Sequence, residues 1–204
     1  MNPYRLYLVT DEQQDLTTLK HVVKEAVAGG VTMVQIREKR ADTGSFIKRA
    51  LAVKAVLKDT GVPLIINDRV DVALAVEAEG VHLGQSDMPV HLARKMMGKN
   101  KIVGLSIETR DQLMQAQHLP VNYIALSAIF ATPTKTNLIT QWGLEGLTNA
   151  VQLSSLPMVA IGGINTTNIH AVIASQVDGV ALMSAICHAP LPRKAALNLI
   201  DLMT

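Results

Sequence analysis

The chain has 204 residues, of which 49% are hydrophobic, 18% charged and 3% aromatic, and its formal net charge is +2 at pH 7. This composition excludes a disordered chain, and scattered basic residues with few aromatic rings argue against a nucleic-acid-binding surface. The apolar runs are shorter than the ~18 residues of a membrane helix, and the N-terminus turns acidic too early for a signal peptide. The single cysteine, Cys187, excludes an internal disulfide and a cysteine-based zinc site. We therefore expect a cytoplasmic protein that binds neither membranes nor nucleic acids.

Short apolar, β-branched runs alternate along the chain with longer segments of helical spacing. The predicted strands, in chain order, are residues 5–10, 33–38, 63–67, 80–84, 101–106, 123–128, 157–163 and 179–184. The predicted helices that follow them are residues 17–28, 43–60, 69–77, 89–97, 110–118, 144–154, 167–175 and 192–203. Strict alternation requires parallel strands, because each helix carries the chain back to the same edge of the sheet.

Eight strand–helix units predict an α/β fold, a closed (β/α)8 TIM barrel, formed by residues 1–204 as a single domain. The length is near the lower limit for this fold and leaves no room for a second domain. An open doubly wound sheet is the alternative architecture, but no G-x-G-x-x-G motif follows the first predicted strand.

Polar residues gather where the predicted strands end and hardly where they begin. In chain order they are Gln35, Arg37 and Lys39, on alternate positions of the second strand, then Asn67, Asp68, Gln85, Asp87, Ser106, Thr132, Thr134, Lys135 and Ser184, and the seventh strand ends in the glycine pair Gly162 and Gly163. The C-terminal ends of all strands in a parallel barrel face the same side, so these residues are expected to converge. Turn and helix-cap propensity is the alternative explanation for Asn67 and Asp68, but it predicts polar residues at both strand ends alike.

The charges in this set indicate a phosphorylated ligand. Arg37, Lys39 and Lys135 are cations, and Asp68 and Asp87 are two carboxylates without an adjacent His or Cys. Mg2+ is commonly held by one or two carboxylates and completes its shell with phosphate oxygens and water. A phosphorylated substrate with Mg2+ fits these residues, and simple salt bridges between the aspartates and the cations are the alternative.

Three further features carry weaker signals. Gly162-Gly163 follows the seventh strand, where the backbone of many such barrels binds a phosphate, so a second phosphate site is expected there. His82 is interpreted as a hydrogen-bonded histidine of the barrel rather than a base. Trp142 either caps a mobile loop or packs against the outer helices.

Between residues 7 and 186 the sequence resembles thiamine-phosphate synthases. The segments that carry the resemblance are YLVTD at 7–11, GGVTMVQIREK at 29–39, LIINDRVDVAL at 64–74, GVHLGQSD at 80–87, GLS at 104–106, TPTKT at 132–136, VAIGGI at 159–164 and MSAI at 183–186. Each segment alone is weak, but eight in order at barrel-strand spacing make a strong match.

The resemblance implies an enzyme that joins 4-amino-5-hydroxymethyl-2-methylpyrimidine diphosphate to hydroxyethylthiazole phosphate and releases pyrophosphate. In this family the reaction is thought to be dissociative, with pyrophosphate leaving before the thiazole nitrogen attacks, so no protein nucleophile is needed. The oligomeric state is left open, and a homo-oligomer is possible.

The resemblance also implies a role for each matching residue. The implied diphosphate ligands are Gln35, Arg37, Lys39 and Lys135, the implied pyrimidine ligand is Asn67, and Ser106 matches a residue near both the pyrimidine and the diphosphate. The implied Mg2+ ligands are Asp68 and Asp87, the implied thiazole phosphate site contains Thr132, Thr134, Gly163 and Ser184, and Met183 is a further implied substrate-binding residue. Arg37, Ser106 and Lys135 are the implied catalytic groups.

Some positions depart from the family pattern. Ser127-Ala128 replaces a usual Gly-Pro, Ala131 replaces a frequent Pro, and Glu108 stands where relatives often have His. Glu108 bears on one alternative function, a thiazole tautomerase of the same superfamily, which depends on a His in that region. Another alternative is a non-catalytic phosphate-binding regulator, which has no reason to retain two metal carboxylates.

Overall fold

The computed structural model describes residues 2–132 and 141–204. Its strands form a closed barrel in which each strand pairs in parallel with the next and β8 pairs with β1. The strands are β1 (Leu6–Val9), β2 (Met33–Ile36), β3 (Leu64–Asn67), β4 (Gly80–Leu83), β5 (Ile102–Ile107), β6 (Tyr123–Ser127), β7 (Met158–Ile161) and β8 (Gly179–Leu182). This closed parallel barrel confirms the fold predicted from the alternation of strands and helices.

Helices lie between the strands and cover the outside of the barrel. They are α1 (Leu16–Ala28), α2 (Thr43–Leu57), α3 (Val70–Ala75), α4 (Val90–Met97), α5 (Arg110–Ala116), α6 (Gly143–Leu153), α7 (Ile169–Ala174), α8 (Ser184–Cys187) and α9 (Pro192–Asp201). Within the described residues none of them is both long and apolar enough to cross a membrane.

The strands read as apolar runs because both of their faces are buried. One face packs against the helices in a large core that includes Leu8 and Ile66. The other face points into the barrel, where Tyr7, Ile65 and Tyr123 belong to a smaller interior cluster. Burial on two sides is typical of parallel sheets and explains the absence of an alternating polar pattern.

Local side-chain caps set where several helices begin. Asp15 accepts a hydrogen bond from the backbone N–H of Thr18 at 2.9 Å, and Asp42 accepts one from Ser45 at 2.9 Å. Each cap satisfies a backbone donor that the first helical turn leaves without a partner. These caps fix the points at which the chain leaves the barrel mouth and turns into α1 and α2.

Two details differ from the sequence prediction. Strand β2 ends at Ile36, so Arg37 and Lys39 lie in the loop that follows and do not continue the strand. The short helix α8 follows β8 directly and was not predicted, because a single turn carries too few residues for a periodic signal. After β6, the peptide bond between Ser127 and Ala128, the pair that replaces Gly-Pro, is cis.

Candidate active site

The third strand ends in two polar residues at the mouth of the barrel. Asn67 is the last residue of β3 and pairs in register with His82 of β4. Its side chain is buried, and its amide Nδ2 has no hydrogen-bond partner among residues 2–132 and 141–204. Asp68 adopts a left-handed backbone conformation with a φ of 61°, and its N–H donates to the carbonyl of His82 at 2.8 Å. Asn67 thus offers a buried donor at the mouth of the barrel.

Asp68 and Asp87, which we call the carboxylate pair, lie next to each other at this mouth. Burial first, and then the neighbouring Asp87 carboxyl, raise the pKa of Asp68 above its usual range, although Lys39 acts in the opposite direction. The Asp87 carboxylate also accepts the backbone N–H of Gly84 at 2.7 Å. Lys39 donates from its ammonium group to Asp68. Of the three cations and two carboxylates that were predicted to converge, Lys39 and Asp87 are each in contact with Asp68.

The loop after β2 is held by contacts with the loop after β1. The Glu12 carboxylate accepts the backbone N–H groups of Lys39 at 2.7 Å and of Arg40 at 3.1 Å. The buried carboxylate of Glu38 accepts from Arg49 Nε at 2.7 Å. This pair ties the loop after β2 to helix α2. Because β2 ends at Ile36, Gln35 lies in the strand, whereas Arg37 and Lys39 lie in the loop after it; that the three side chains share one side stays a prediction.

The Arg37 guanidinium lies close enough to Asp11 to affect its pKa. Its backbone N–H donates to the hydroxyl of Thr10 at 3.1 Å. Burial raises the pKa of Asp11, but the hydrogen bond with His188 and the nearby Arg37 guanidinium outweigh burial and hold that pKa below its usual value. His188 Nε2 and Asp11 Oδ2 are 2.7 Å apart. The contacts of Arg37 are thus with the residues that follow β1.

A row of hydrogen-bonded side chains, which we call the interior chain, crosses the barrel below the mouth. Gln35 Nε2 donates to the Tyr7 hydroxyl at 2.6 Å, and the Tyr7 and Tyr123 hydroxyls are 2.9 Å apart. His82 joins Tyr123 through Nδ1 at 2.8 Å and Ser106 through Nε2 at 2.9 Å. Burial raises the pKa of both tyrosines. The predicted site residues Gln35 and Ser106 are therefore the two ends of one network.

Sequence reasoning missed Tyr7 and Tyr123, because a tyrosine in an apolar run reads as core. The prediction that His82 is a hydrogen-bonded histidine of the barrel is confirmed, since both ring nitrogens have hydrogen-bond partners, and its having no role as a base stays a prediction. The sequence did contain one signal for these residues: two of the three tyrosines in the chain lie within predicted strands. A buried Tyr hydroxyl needs a polar partner, which would have pointed to an interior network.

The glycines after β7 are explained at least in part by packing. Gly162 and Gly163 have φ values of 103° and 67°, a region that favours glycine. A Cβ on Gly162 would lie 2.5 Å from the Ala128 side chain, and one on Gly163 would lie 2.6 Å from the carbonyl of Ala131. The loop after β6 therefore occupies the space that the missing side chains leave.

The remaining predicted residues lie at the sixth and eighth strands. Ser184 is exposed as the first residue of α8, and Met183 precedes it and packs against the interior cluster. Thr132 is partly buried after β6, whereas Thr134 and Lys135 lie outside the described residues. Of the two alternatives for Trp142, the packing one is found, because its side chain is partly buried against the outer core.

The described residues contain no cluster of three or more His, Cys, Asp or Glu side chains that could hold a metal. A cation at the carboxylate pair would therefore need further ligands from substrate and water, which is how Mg2+ is usually bound. Cys187 is buried, and burial raises the pKa of its thiol to about 12, so it acts as a small apolar group.

The closed barrel with polar groups at its C-terminal mouth defines the class of (β/α)8-barrel enzymes. The sequence matches the family described as "Thiamine monophosphate synthase" over residues 6–186. It is 68% identical over 203 residues to the thiamine-phosphate synthase of Vibrio parahaemolyticus, with all of both chains covered. The chain belongs to the thiamine monophosphate synthase family.

Solved structures agree with this assignment. A thiamine phosphate pyrophosphorylase from Pyrococcus furiosus superposes with a TM-score of 0.88 at 34% identity, covering 99% of this chain and 96% of the other. A 3-hexulose-6-phosphate synthase superposes with a TM-score of 0.75 at 17% identity, covering 98% of this chain and 100% of the other. The second likeness extends to the fold alone.

Proposed function

We infer that the chain is a thiamine-phosphate synthase, a transferase of thiamine biosynthesis, because it belongs to that family and shares 68% identity with a full-length relative of that activity. Its substrates are then 4-amino-5-hydroxymethyl-2-methylpyrimidine diphosphate and hydroxyethylthiazole phosphate. The observation that links this function to particular residues is the contact of the carboxylate pair with Lys39. Asn67, which precedes Asp68 in the chain, adds a buried amide.

The residues present fit a Mg2+ ion at Asp68 and Asp87. Two carboxyl groups that are close enough to share a hydrogen bond repel each other when both are ionised, and a cation between them removes that cost. Both ligands are hard oxygens, and neither imidazole nor thiolate is required, which favours Mg2+ over zinc. When bound, Mg2+ supplies charge stabilisation for the diphosphate leaving group.

The remaining residues near the pyrimidine substrate hold and orient it. The Asn67 amide donates to the pyrimidine, since it is buried and has no partner within the described part of the chain. Gln35 and Ser106 contribute from the two ends of the interior chain. Lys39, Arg37 and Lys135 are the proposed cations for the diphosphate.

The thiazole phosphate is proposed to bind on the opposite side of the mouth. Its site is formed by residues after the sixth, seventh and eighth strands: Thr132, Thr134, Gly163, Met183 and Ser184. Placing the two anions on different sides keeps the departing pyrophosphate away from the incoming phosphate. It also leaves the reacting carbon of the pyrimidine between them.

In the proposed reaction the bond between the pyrimidine methylene and the diphosphate oxygen breaks first, and its electron pair leaves with pyrophosphate. The thiazole nitrogen then donates its electron pair to the methylene carbon. Negative charge grows on the leaving group, so fixed cations such as Lys39, Arg37 and Lys135 stabilise the transition state more than the bound substrate. No protein nucleophile takes part.

One experiment separates this function from the two alternatives. Purified protein is incubated with both substrates and MgCl2, and thiamine phosphate and pyrophosphate are measured with each substrate omitted in turn. A synthase forms both products only when both substrates are present. Isomerisation of a thiazole phosphate without pyrophosphate release would indicate a tautomerase, and binding without any turnover would indicate a regulator.

A further inference from the structure

The interior chain has one consistent hydrogen-bond direction. The amide nitrogen of Gln35 can only donate, so the Tyr7 oxygen accepts from it at 2.6 Å. The hydroxyl hydrogen of Tyr7 then points to its other polar neighbour, the oxygen of Tyr123, at 2.9 Å. Each hydroxyl has one hydrogen, and therefore Tyr123 must donate onward rather than back.

The direction continues through the histidine. Tyr123 donates to His82 Nδ1 at 2.8 Å, and a ring nitrogen that accepts a hydrogen bond carries no proton. His82 is then the neutral tautomer with hydrogen on Nε2, and it donates to Ser106 Oγ at 2.9 Å. The four links therefore all run from Gln35 towards Ser106.

This direction decides what the Ser106 hydroxyl can do. Its oxygen accepts from His82, so its own hydrogen is directed away from the interior chain. The backbone carbonyl of Ser106 accepts from Gln85 Nε2 at 2.6 Å, which holds the end of β5 in place. Ser106 is also partly exposed, whereas Tyr7, Tyr123 and His82 are buried.

We propose that Tyr7, Tyr123 and His82 are positioning residues that hold the Ser106 hydroxyl as a hydrogen-bond donor towards the substrate. The proposal rests on the proposed function and deepens it. The partner of Ser106 is then an acceptor that carries no hydrogen, such as an unprotonated ring nitrogen or a phosphate oxygen. Such an acceptor is favoured over a substrate group that can only donate, because the donor would leave the hydrogen of the Ser106 hydroxyl without a partner.

Packing around the interior chain is fitted to this arrangement. Gly104 of β5 pairs in register with Tyr123, and a Cβ at Gly104 would lie 2.2 Å from the Tyr123 ring carbon that bears the hydroxyl. Only a glycine leaves room for the ring to reach His82. Because burial raises the pKa of both tyrosines, their hydroxyls remain protonated donors through neutral pH.

The first test measures the tautomer of His82 in the intact protein. Protein labelled with 15N at histidine is studied by NMR, with His82 identified among the six histidines by backbone assignment or by its loss in His82→Gln. We expect an unprotonated Nδ1 and a protonated Nε2. A protonated Nδ1 would mean that His82 donates to Tyr123 instead of accepting from it, so no continuous direction would lead from Gln35 to Ser106 and the proposal would be overturned.

The second test asks whether the tyrosine hydroxyl acts through Ser106. Tyr123→Phe should lower kcat/KM for the pyrimidine diphosphate about tenfold, the scale of one hydrogen bond. The same change in a Ser106→Ala background should have less than about a twofold effect, because the group that it orients is already absent. Equal effects in both backgrounds would contradict the proposal.

Tyr4→Phe is the matched control. The ring of Tyr4 lies 5.0 Å from that of Tyr123, but its hydroxyl donates to the carbonyl of Asn122 and not to the interior chain. Its kcat/KM should stay at the wild-type value, and a tenfold loss would assign the Tyr123→Phe effect to packing. A wild-type protein that makes no thiamine phosphate would refute the proposed function instead, whatever the tautomer of His82.

Discussion

Replacing Asp68 by Asn removes one charge from the carboxylate pair and changes little else. Asp68 has a φ of 61°, and Asn adopts this left-handed region as readily as Asp does. The amide oxygen can still accept from Lys39, and the amide N–H can donate to the Asp87 carboxylate. The Asp68→Asn protein should therefore keep the backbone and most contacts of the wild type.

Asp68→Asn should change the stability of the fold little and the affinity for Mg2+ strongly. The Lys39 side chain is 46% exposed, and an ion pair of this kind contributes at most about 1 kcal/mol. Loss of the repulsion between Asp68 and Asp87 acts in the opposite direction, so Tm should change by no more than about 4 °C. Loss of a supporting residue around a metal typically lowers affinity about 10- to 100-fold, so loss of a direct ligand should raise the half-saturating Mg2+ concentration on the order of 100-fold or more.

The assay is kcat/KM against Mg2+ concentration for Asp68→Asn, Asp87→Asn and the double variant. Two ligands of one ion act as a unit, so the double variant should be little worse than the poorer single one. Asp71→Asn is the charge-matched control, because Asp71 pairs with Arg69 at 2.6 Å and lies outside the carboxylate pair. A wild-type dependence of kcat/KM on Mg2+ concentration for Asp68→Asn would mean that Asp68 is not a Mg2+ ligand and only forms the turn after β3.

Three further predictions concern other parts of the mouth. Lys135→Ala should lower kcat on the order of 100-fold in a protein with wild-type Tm, and near-normal turnover would refute its role with the leaving group. Ser184→Ala should raise KM for the thiazole phosphate more than KM for the pyrimidine diphosphate, whereas equal changes would mean that the two anion sites are wrongly placed. For Asp11→Asn, the pKa of Asp11 is depressed in the folded protein, so its contribution to stability is present above its unfolded pKa and lost as pH falls. The Tm of the wild type should exceed that of the variant at neutral pH, and the difference in Tm should disappear below about pH 4. A constant difference in Tm across this range would contradict the expectation.

The barrel could be predicted because its strands are buried on both sides. Runs such as residues 63–67 contain no polar interruption until the strand ends, and the polar residue then marks the mouth. Parallel topology brings those ends together, so Asp68 and Asp87 were predicted to be neighbours although 18 residues separate them. The alternation of strands and helices was sufficient to predict the barrel, and the polar residues at the strand ends were sufficient to predict that Asp68 and Asp87 are neighbours.

Other features depend on contacts that a single sequence does not encode locally. The loop after β2 is held by the pairing of Glu38 with Arg49, which lies in the middle of helix α2. The requirement for Gly104 arises from Tyr123 on the next strand. In each case the deciding partner lies 11 or more residues away, and no periodicity connects the two positions.

Strand register explains why the carboxylate pair and the interior chain lie side by side. Asn67, His82, Gly104 and Tyr123 are register partners across four neighbouring strands. The backbone carbonyl of His82 accepts from Asp68, while its ring bonds Ser106, so a single residue of β4 supports both proposed sites. A shift of β4 by one residue would turn its side chains to the opposite face and break both sets of contacts. The chemistry at the mouth therefore depends on the same pairings that close the barrel.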